Sequence, residues 1–256
     1  MVCDLSVVIP AYNEAKNFRA GLLIPALDYL SRQKYSSEVI FVDDGSTDDT
    51  NKLLSSLVKK NKNYRLIKIP HGGKAAAVTA GVLGASGKII LFTDFDQSTP
   101  LSQAEKFLAA HKKGAQVVIG IRGGDGTTKN DTLVRKIRSK AFVTLVQVVA
   151  LPGIKDTQCG FKSFTRKAAR EIFSSLKVSL SGKVAGGYMG AFDVEVLYLA
   201  RKFGFAIFQV PVDWVKVPSE KLNVFQESIR MALDTFRVRG YDLSGRYDYH
   251  PNTSPT

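Results

Sequence analysis

The chain has 256 residues, with 36 Lys and Arg against 23 Asp and Glu, a net charge of +13 with His neutral. Hydrophobic residues at 45% and charged residues at 23% exclude a disordered or collagen-like chain, and the length allows one large domain or two small ones, with a core that needs no staples. Two cysteines (Cys3, Cys159) and three scattered histidines (His71, His111, His250) exclude a disulfide framework and a zinc cluster of recognisable spacing. The charge surplus implies an anionic partner, which composition leaves open among nucleic acid, a membrane surface and a phosphorylated substrate.

Met1-Val2-Cys3-Asp4 runs directly into an apolar strand, without the basic stretch or small-residue cleavage site of a signal peptide. In chain order, strands are predicted at Leu5 to Pro10, Val39 to Val42, Tyr64 to Ile69, Lys88 to Thr93 and Gln116 to Ile121. Helical patterns lie between them at Ala15 to Ser31, Asp48 to Lys60, Lys74 to Ala85 and Ser102 to Lys112. Pro25 should kink or divide the first helix, and Ser46 or Thr47 can cap the second. Alternating strands and helices predict βαβ units: a mostly parallel central sheet with helices on both faces. The second half reads as a long helix over Leu133 to Leu151, a short strand at Gly160 to Phe164 and helices at Lys167 to Leu176 and Ala191 to Phe203. A strand at Phe205 to Val210 and a final helix at Asn223 to Arg237 complete it. No run reaches the ~18–20 apolar residues of a membrane span. Ala141 to Leu151 is too short, holds Gln147 and stops at Pro152-Gly153.

In parallel α/β sheets ligands sit outside the carboxyl ends of the strands. Three polar clusters fall there: Pro10-Ala11-Tyr12-Asn13-Glu14, Asp43-Asp44-Gly45-Ser46-Thr47-Asp48 and Asp94-Phe95-Asp96. Each alone could be a turn or a helix cap, but all three at equivalent strand ends predict one crevice. Just past a strand end, Asp94 and Asp96 can aim hard oxygen ligands at one Mg²⁺ or Mn²⁺, with a diphosphate supplying further oxygens. Gly72-Gly73-Lys74 lacks the spacing of a P-loop, and neither G-x-G-x-x-G nor G-x-S-x-G is present. Those absences argue against an NTPase, a nicotinamide dehydrogenase and an α/β-hydrolase.

The strings VVIPAYNEAKNF, VIFVDDGSTDDT, GGKAAAVTAGVLGASGKIILFTDFD and IKDTQCGFKSFTRKAAREIF resemble family 2 glycosyltransferases, within them the dolichyl-phosphate β-glucosyltransferase group. The resemblance runs from about Leu5 to Arg239, and the D-T-Q-C-G-F-K string at Asp156 to Lys162 is its most particular part. It implies an α/β fold of the GT-A (Rossmann-like) type that binds a nucleotide sugar. A single domain would span 1–245, with a nucleotide-sugar half at 1–125, an acceptor half at 126–245 and a flexible tail at 246–256. By the same resemblance Pro10, Ala11, Tyr12 and Glu14 would line base and ribose, and Asp43 or Asp44 would hydrogen-bond the base or ribose. Lys74 would lie near the nucleotide, Asp94 would face ribose or sugar, and Asp96 would hold the metal. Arg122 and Arg135 or Arg138 would face phosphate groups, and Asp156, Thr157 and Gln158 would border donor sugar and acceptor. Phe95 between the aspartates and Gln97-Ser98-Thr99 after them depart from the group's pattern, and Gln97 could add a metal ligand or a sugar contact.

The implied activity is a metal-dependent inverting transfer of a hexose, glucose from UDP-glucose, to a polyprenyl phosphate. The alternatives are GDP-mannose as donor, or a soluble acceptor. A phosphate acceptor is already ionised at neutral pH, so catalysis rests on Asp96, Asp156 and Arg122 positioning and neutralising charge rather than on a strong base. Lys129 to Lys140 is basic and the apolar Ala141 to Leu151 follows it, a pattern that suits a helix at a lipid surface. The protein is therefore expected in the cytoplasm, peripheral on the cytoplasmic face of a membrane. Nucleic acid is not expected as a partner, because aromatic residues do not interleave with Lys and Arg and the strand-end aspartates would repel phosphate. The Gly-rich stretch 179–190 reads as a mobile lid or a plain surface loop.

Overall fold

In a computed structural model of the protein, residues 3–122, 144–180, 192–215 and 224–248 are described. The basic stretch expected at Lys129 to Lys140, most of the segment read as a lid, and the tail beyond residue 248 lie outside them. Among the described residues seven strands form one sheet: β1 (Leu5–Ala11), β2 (Ser37–Asp43), β3 (Tyr64–Lys68), β4 (Ile89–Phe92), β5 (Val117–Arg122), β6 (Lys162–Thr165) and β7 (Ile207–Val212). Their order is β3-β2-β1-β4-β6-β5-β7. Neighbours pair in parallel except β6, which runs antiparallel to both β4 and β5. The sequence gives no hint of that reversal, since Gly160 to Phe164 reads as a strand without a direction.

Both faces of the sheet are buried, which is why its strands are nearly continuous apolar runs. The pleat sends Val8, Ile40, Val42, Ile90, Phe92, Val117 and Ile119 into one core layer and Val7, Ile9, Val39, Phe41, Leu91 and Val118 into the other. The first layer is covered by α4 (Gly73–Leu83), α6 (144–149), α7 (Arg166–Ser174), α8 (Phe192–Lys202) and part of α9 (Val224–Leu243). The second is covered by α1 (Ala15–Arg19), α2 (Ile24–Ser31), α3 (Thr50–Val58) and α5 (Ala104–Lys112). The single helix predicted over 15–31 is two, divided before Pro25, which takes a place in the first turn of α2. Neither Ser46 nor Thr47 caps α3. Asp48 accepts from Thr50 N at 2.9 Å and from Ala15 N at 3.2 Å, so one carboxylate ties the starts of α1 and α3 together.

Two buried ions anchor α8, Lys162 to the sheet and Glu195 to the segment after α7 and to Tyr247. Lys162 has no exposed surface. Its Nζ donates to Asp193 Oδ1 and to Cys159 O, each at 2.5 Å, and lies over the Phe92 ring. Its position in β6, with Phe92 as cross-strand partner, turns the side chain inward, so this cation cannot meet a phospholipid. Glu195, in the first turn of α8 and equally buried, accepts from Lys177 N, Val178 N and Ser179 N, from the Ser179 hydroxyl and from Tyr247 Oη. Lys162→Met is expected to lower unfolding free energy by about 3–5 kcal/mol, because it strands Asp193 in the core. Adding Asp193→Leu should recover most of that, measured by urea unfolding of both variants.

Candidate active site

The crevice opens where β1 and β4 part. Their last pair is Val8↔Phe92, while β1 continues beside β2 to Ala11↔Asp43. Pro10 stands in this one-sided stretch, where a strand tolerates a missing N–H. The rim is formed by the residues after β1, β2 and β4 and by the loop that precedes β6.

The β1 exit is fastened to the β2 exit. Asn13 adopts φ +55°. Its N–H donates to Ser46 Oγ at 3.0 Å, and its side-chain oxygen accepts from Thr47 N at 2.8 Å. Asp43 Oδ1 accepts from Ser46 N and Oδ2 from Asn51 Nδ2, leaving lone pairs on a buried carboxylate. Asp44 is more fully used. Its Oδ1 accepts from Gly72 N at 2.7 Å, and its Oδ2 meets Gly73 N and His71 Nδ1, each at 2.9 Å. A carboxylate at the start of α4 satisfies free N–H groups and faces the positive end of the helix dipole. Asp44 thus ties the β3–α4 turn to the end of β2. Gly45, at φ +67°, is needed there because a Cβ would stand 2.8 Å from His71 N.

Asp94 lies at the centre. Its Oδ1 is 2.5 Å from Lys74 Nζ, which comes from the first turn of α4. Burial works against the Lys74 charge, yet the carboxylates of Asp94, Asp193 and Asp96 raise its pKa above the ordinary lysine value. Gly160 packs directly on Asp94, so closely that a Cβ would fall 1.9 Å from Oδ2. The glycine of the D-T-Q-C-G-F-K string is thus required by the first aspartate of the D-x-D.

Asp96 Oδ1 accepts from Ser98 N at 2.9 Å. Gln97, at φ +53°, donates from Nε2 to Asp94 O, while its Oε1 is buried without a hydrogen-bond partner among the described residues. An aspartate beside an orphaned amide carbonyl fits a hard divalent cation. No three acidic, His or Cys side chains among the described residues form a cage, so such a cation would also need oxygens from a ligand. Burial pushes the Glu14 carboxyl up, against a hydrogen bond from Asn17, and the charges of Asp96, Asp94 and Asp48 push it the same way.

Arg122 and Asp156, expected to serve separate catalytic roles, form a pair. Asp156 Oδ2 accepts from Arg122 Nε at 2.8 Å and from its backbone N at 3.1 Å, and Oδ1 accepts from Nη2 at 3.0 Å. Burial opposes the Asp156 charge, but this fork holds its carboxyl below the usual range. Gln158 N also donates to Asp156 Oδ1, and Thr157 is buried beside it. The Arg122 guanidinium lies 5.7 Å from the Trp214 ring centroid. Trp214 adjoins Val215, whose N–H donates to Ser98 O two residues beyond Asp96. Sequence reading passes over Trp214, Asn51 and the placement of His71, which no motif marks. Arg135 and Arg138 lie outside the described residues.

Residues 6–173 match the family model described as glycosyl transferase family 2. The chain is 37% identical over 256 residues to a dolichyl-phosphate beta-glucosyltransferase of Dictyostelium discoideum, covering 94% of this chain and 75% of that protein. It is 35% identical to the enzyme of the same name from Saccharomyces cerevisiae, covering 95% of this chain and 76% of that one. Among solved structures it is similar, with TM-score 0.59 and 20% identity, to glucosyl-3-phosphoglycerate synthase from Mycobacterium tuberculosis in complex with Mn²⁺, uridine diphosphate and glucosyl-3-phosphoglycerate. That likeness covers 93% of this chain and 80% of the other and places the fold in the GT-A class.

Because Glu14 holds its proton more tightly in the folded protein than in the unfolded chain, its ionisation costs stability as pH rises, a cost absent below about pH 4.3. Glu14→Gln should therefore raise the midpoint of thermal unfolding at pH 7.5 and leave it unchanged near pH 4, read by calorimetry without ligands.

Proposed function

The chain belongs to glycosyl transferase family 2, and on that premise we propose that it is an inverting hexosyltransferase moving glucose from UDP-glucose to a dolichyl-type polyprenyl phosphate. The observation that carries this reading is the meeting of Tyr12, Asp43, the Lys74–Asp94 pair and Asp96 at one open strand edge. Likeness over nearly the whole chain to proteins named dolichyl-phosphate beta-glucosyltransferase supports the donor sugar and the acceptor.

In this reading the base lies on Tyr12, and Asp43 accepts from base or ribose with its remaining lone pairs. Asp44 acts from beneath, by holding the β3–α4 turn. Lys74 fixes the Asp94 carboxylate toward ribose or sugar. Asp96, with the carbonyl of Gln97, would hold Mg²⁺ or Mn²⁺ against the diphosphate, and such an ion supplies neutralisation of charge on the leaving group. A phosphate oxygen of the acceptor attacks the anomeric carbon, the bond to the diphosphate oxygen breaks, UDP departs and the configuration inverts. The acceptor oxygen is already anionic, so the chain's work is alignment and charge compensation. Asp156 orients Arg122 on the acceptor side, with Thr157 and Gln158 bordering it.

The membrane surface is the expected place of work. Among the described residues no helix is long and apolar enough to cross a membrane. Along α9, however, Ile229, Leu233, Phe236 and Leu243 are exposed at spacings that put them on one face. Arg237 and Arg239 project beside them, while their partners Asp234 and Asp242 are mostly covered. An apolar stripe edged by projecting cations suits an anionic lipid surface, the chain lying on it rather than through it.

Incubation with UDP-glucose and a polyprenyl phosphate should give a monoglucosylated lipid phosphate by mass spectrometry. Asp96→Ala should lower that yield by about 1,000-fold or more. Product from GDP-mannose alone, or near-normal turnover in the variant, would overturn the donor or the metal assignment respectively. In flotation assays the protein should rise with vesicles containing anionic lipid at low salt, and Leu233→Glu/Phe236→Glu should stay with the soluble fraction.

A further inference from the structure

The Tyr12 ring is stacked on the His71 ring, with centroids 4.1 Å apart and planes 17° from parallel. The two residues come from opposite sides of β2, Tyr12 after β1 and His71 after β3. Neither sequence spacing nor the D-x-D logic brings them together, and the functional reading above gives His71 no task.

His71 is itself clamped. Its Nδ1 lies 2.9 Å from Asp44 Oδ2 and 3.1 Å from Asp44 O. Both neighbours are acceptors, so Nδ1 carries a proton whatever the state of Nε2. Asp44 is anchored in turn by the N–H groups of Gly72 and Gly73 at the start of α4. The imidazole thus has a fixed plane. Tyr12 remains 38% exposed, with one ring face covered by that imidazole. The residue after it, Asn13, is fixed by its bonds to Ser46 and Thr47. A surface tyrosine would ordinarily sample several rotamers, and holding one on binding a ligand costs entropy. Here that cost is met in the folded chain, before a ligand arrives.

We infer that His71 is a positioning residue for the donor nucleotide: braced by Asp44, it holds the Tyr12 ring as a preset platform on which the planar base stacks. The inference rests on the reading that the donor base lies on Tyr12. The stack acts equally on bound donor and on the transition state, since the base takes no part in bond making. Its loss therefore weakens nucleotide binding and raises KM for the donor without a matching fall in kcat. Aromatic–aromatic and base–aromatic stacking are of a size that makes the expected effect about tenfold.

The test is calorimetric titration of the full chain with UDP and Mn²⁺, alongside donor kinetics, for wild type, Tyr12→Ala, His71→Ala and His71→Phe. His71→Ala should raise the Kd for UDP and the donor KM about tenfold, with kcat at saturating donor within about twofold of wild type. His71→Phe keeps a ring under Tyr12 but loses the bond to Asp44, and should bind UDP about threefold more weakly than wild type, between wild type and His71→Ala; wild-type affinity in this variant would overturn the role of the Asp44 brace. Unchanged UDP affinity in His71→Ala overturns the inference, as does His71→Phe binding as weakly as His71→Ala. If His71→Ala unfolds, His71→Phe against His71→Leu, similar in bulk but without a ring, makes the same comparison: equal affinities overturn the inference. Tyr12→Ala separates the two levels. If it binds UDP like wild type, the base does not lie on Tyr12 and the underlying reading fails; if it weakens binding while His71→Ala does not, the brace alone fails.

Discussion

The ion pair between Asp94 and Lys74 is the point from which the crevice is organised. It joins the end of β4 to the first turn of α4, and Gly160 brings the loop before β6 against the same carboxylate. Three segments distant in sequence are fixed by one side chain. Lys74 is the more covered partner and needs an anion beside it, while the close approach of the loop before β6 needs a residue without a side chain, and the chain supplies both. Charge continues inward, because Asp193, held by Lys162, also supports the Lys74 charge. The strand-end crevice and the second half of the chain are therefore coupled electrostatically as well as by the shared sheet.

That coupling explains why some polar residues of the motifs have duties other than touching a ligand. Asp44 holds a helix start, Asp48 ties two helix starts, and Asp156 holds Arg122 in a fork. Groups with spare acceptor capacity among the described residues include Asp43, Asp94, Asp96 and the carbonyl of Gln97. A site in which most carboxylates are bound internally and a few remain open is rigid where it must align and polar where it must bind.

The sheet and most helices were legible in the sequence because both faces of the strands are buried, giving apolar runs bounded by Gly, Pro and Asp turns. The strand ends were legible too, since Asp and Asn accumulate where parallel strands stop. What could not be read was direction and depth. Nothing in KSFT marks β6 as antiparallel, because pairing sense is set by tertiary contacts rather than by local composition. Nothing marks Lys162 as buried, since a lysine reads as surface charge until its partner Asp193, 31 residues on, is located. The stack of His71 on Tyr12 is hidden for a related reason: it spans two loops whose approach depends on strand order.

The reversed strand β6 decides which segments share the rim of the crevice. Tyr12, Asp44 and Asp94 sit on segments that leave parallel strands, whereas Asp156, Thr157 and Gln158 sit on the segment that enters an antiparallel one. Entrances and exits meet at one rim only because of that reversal. The loop before β6 thus brings Gly160 against Asp94 and Asp156 against Arg122, so a change in this loop reaches Asp94 as directly as a change in the strand that precedes it.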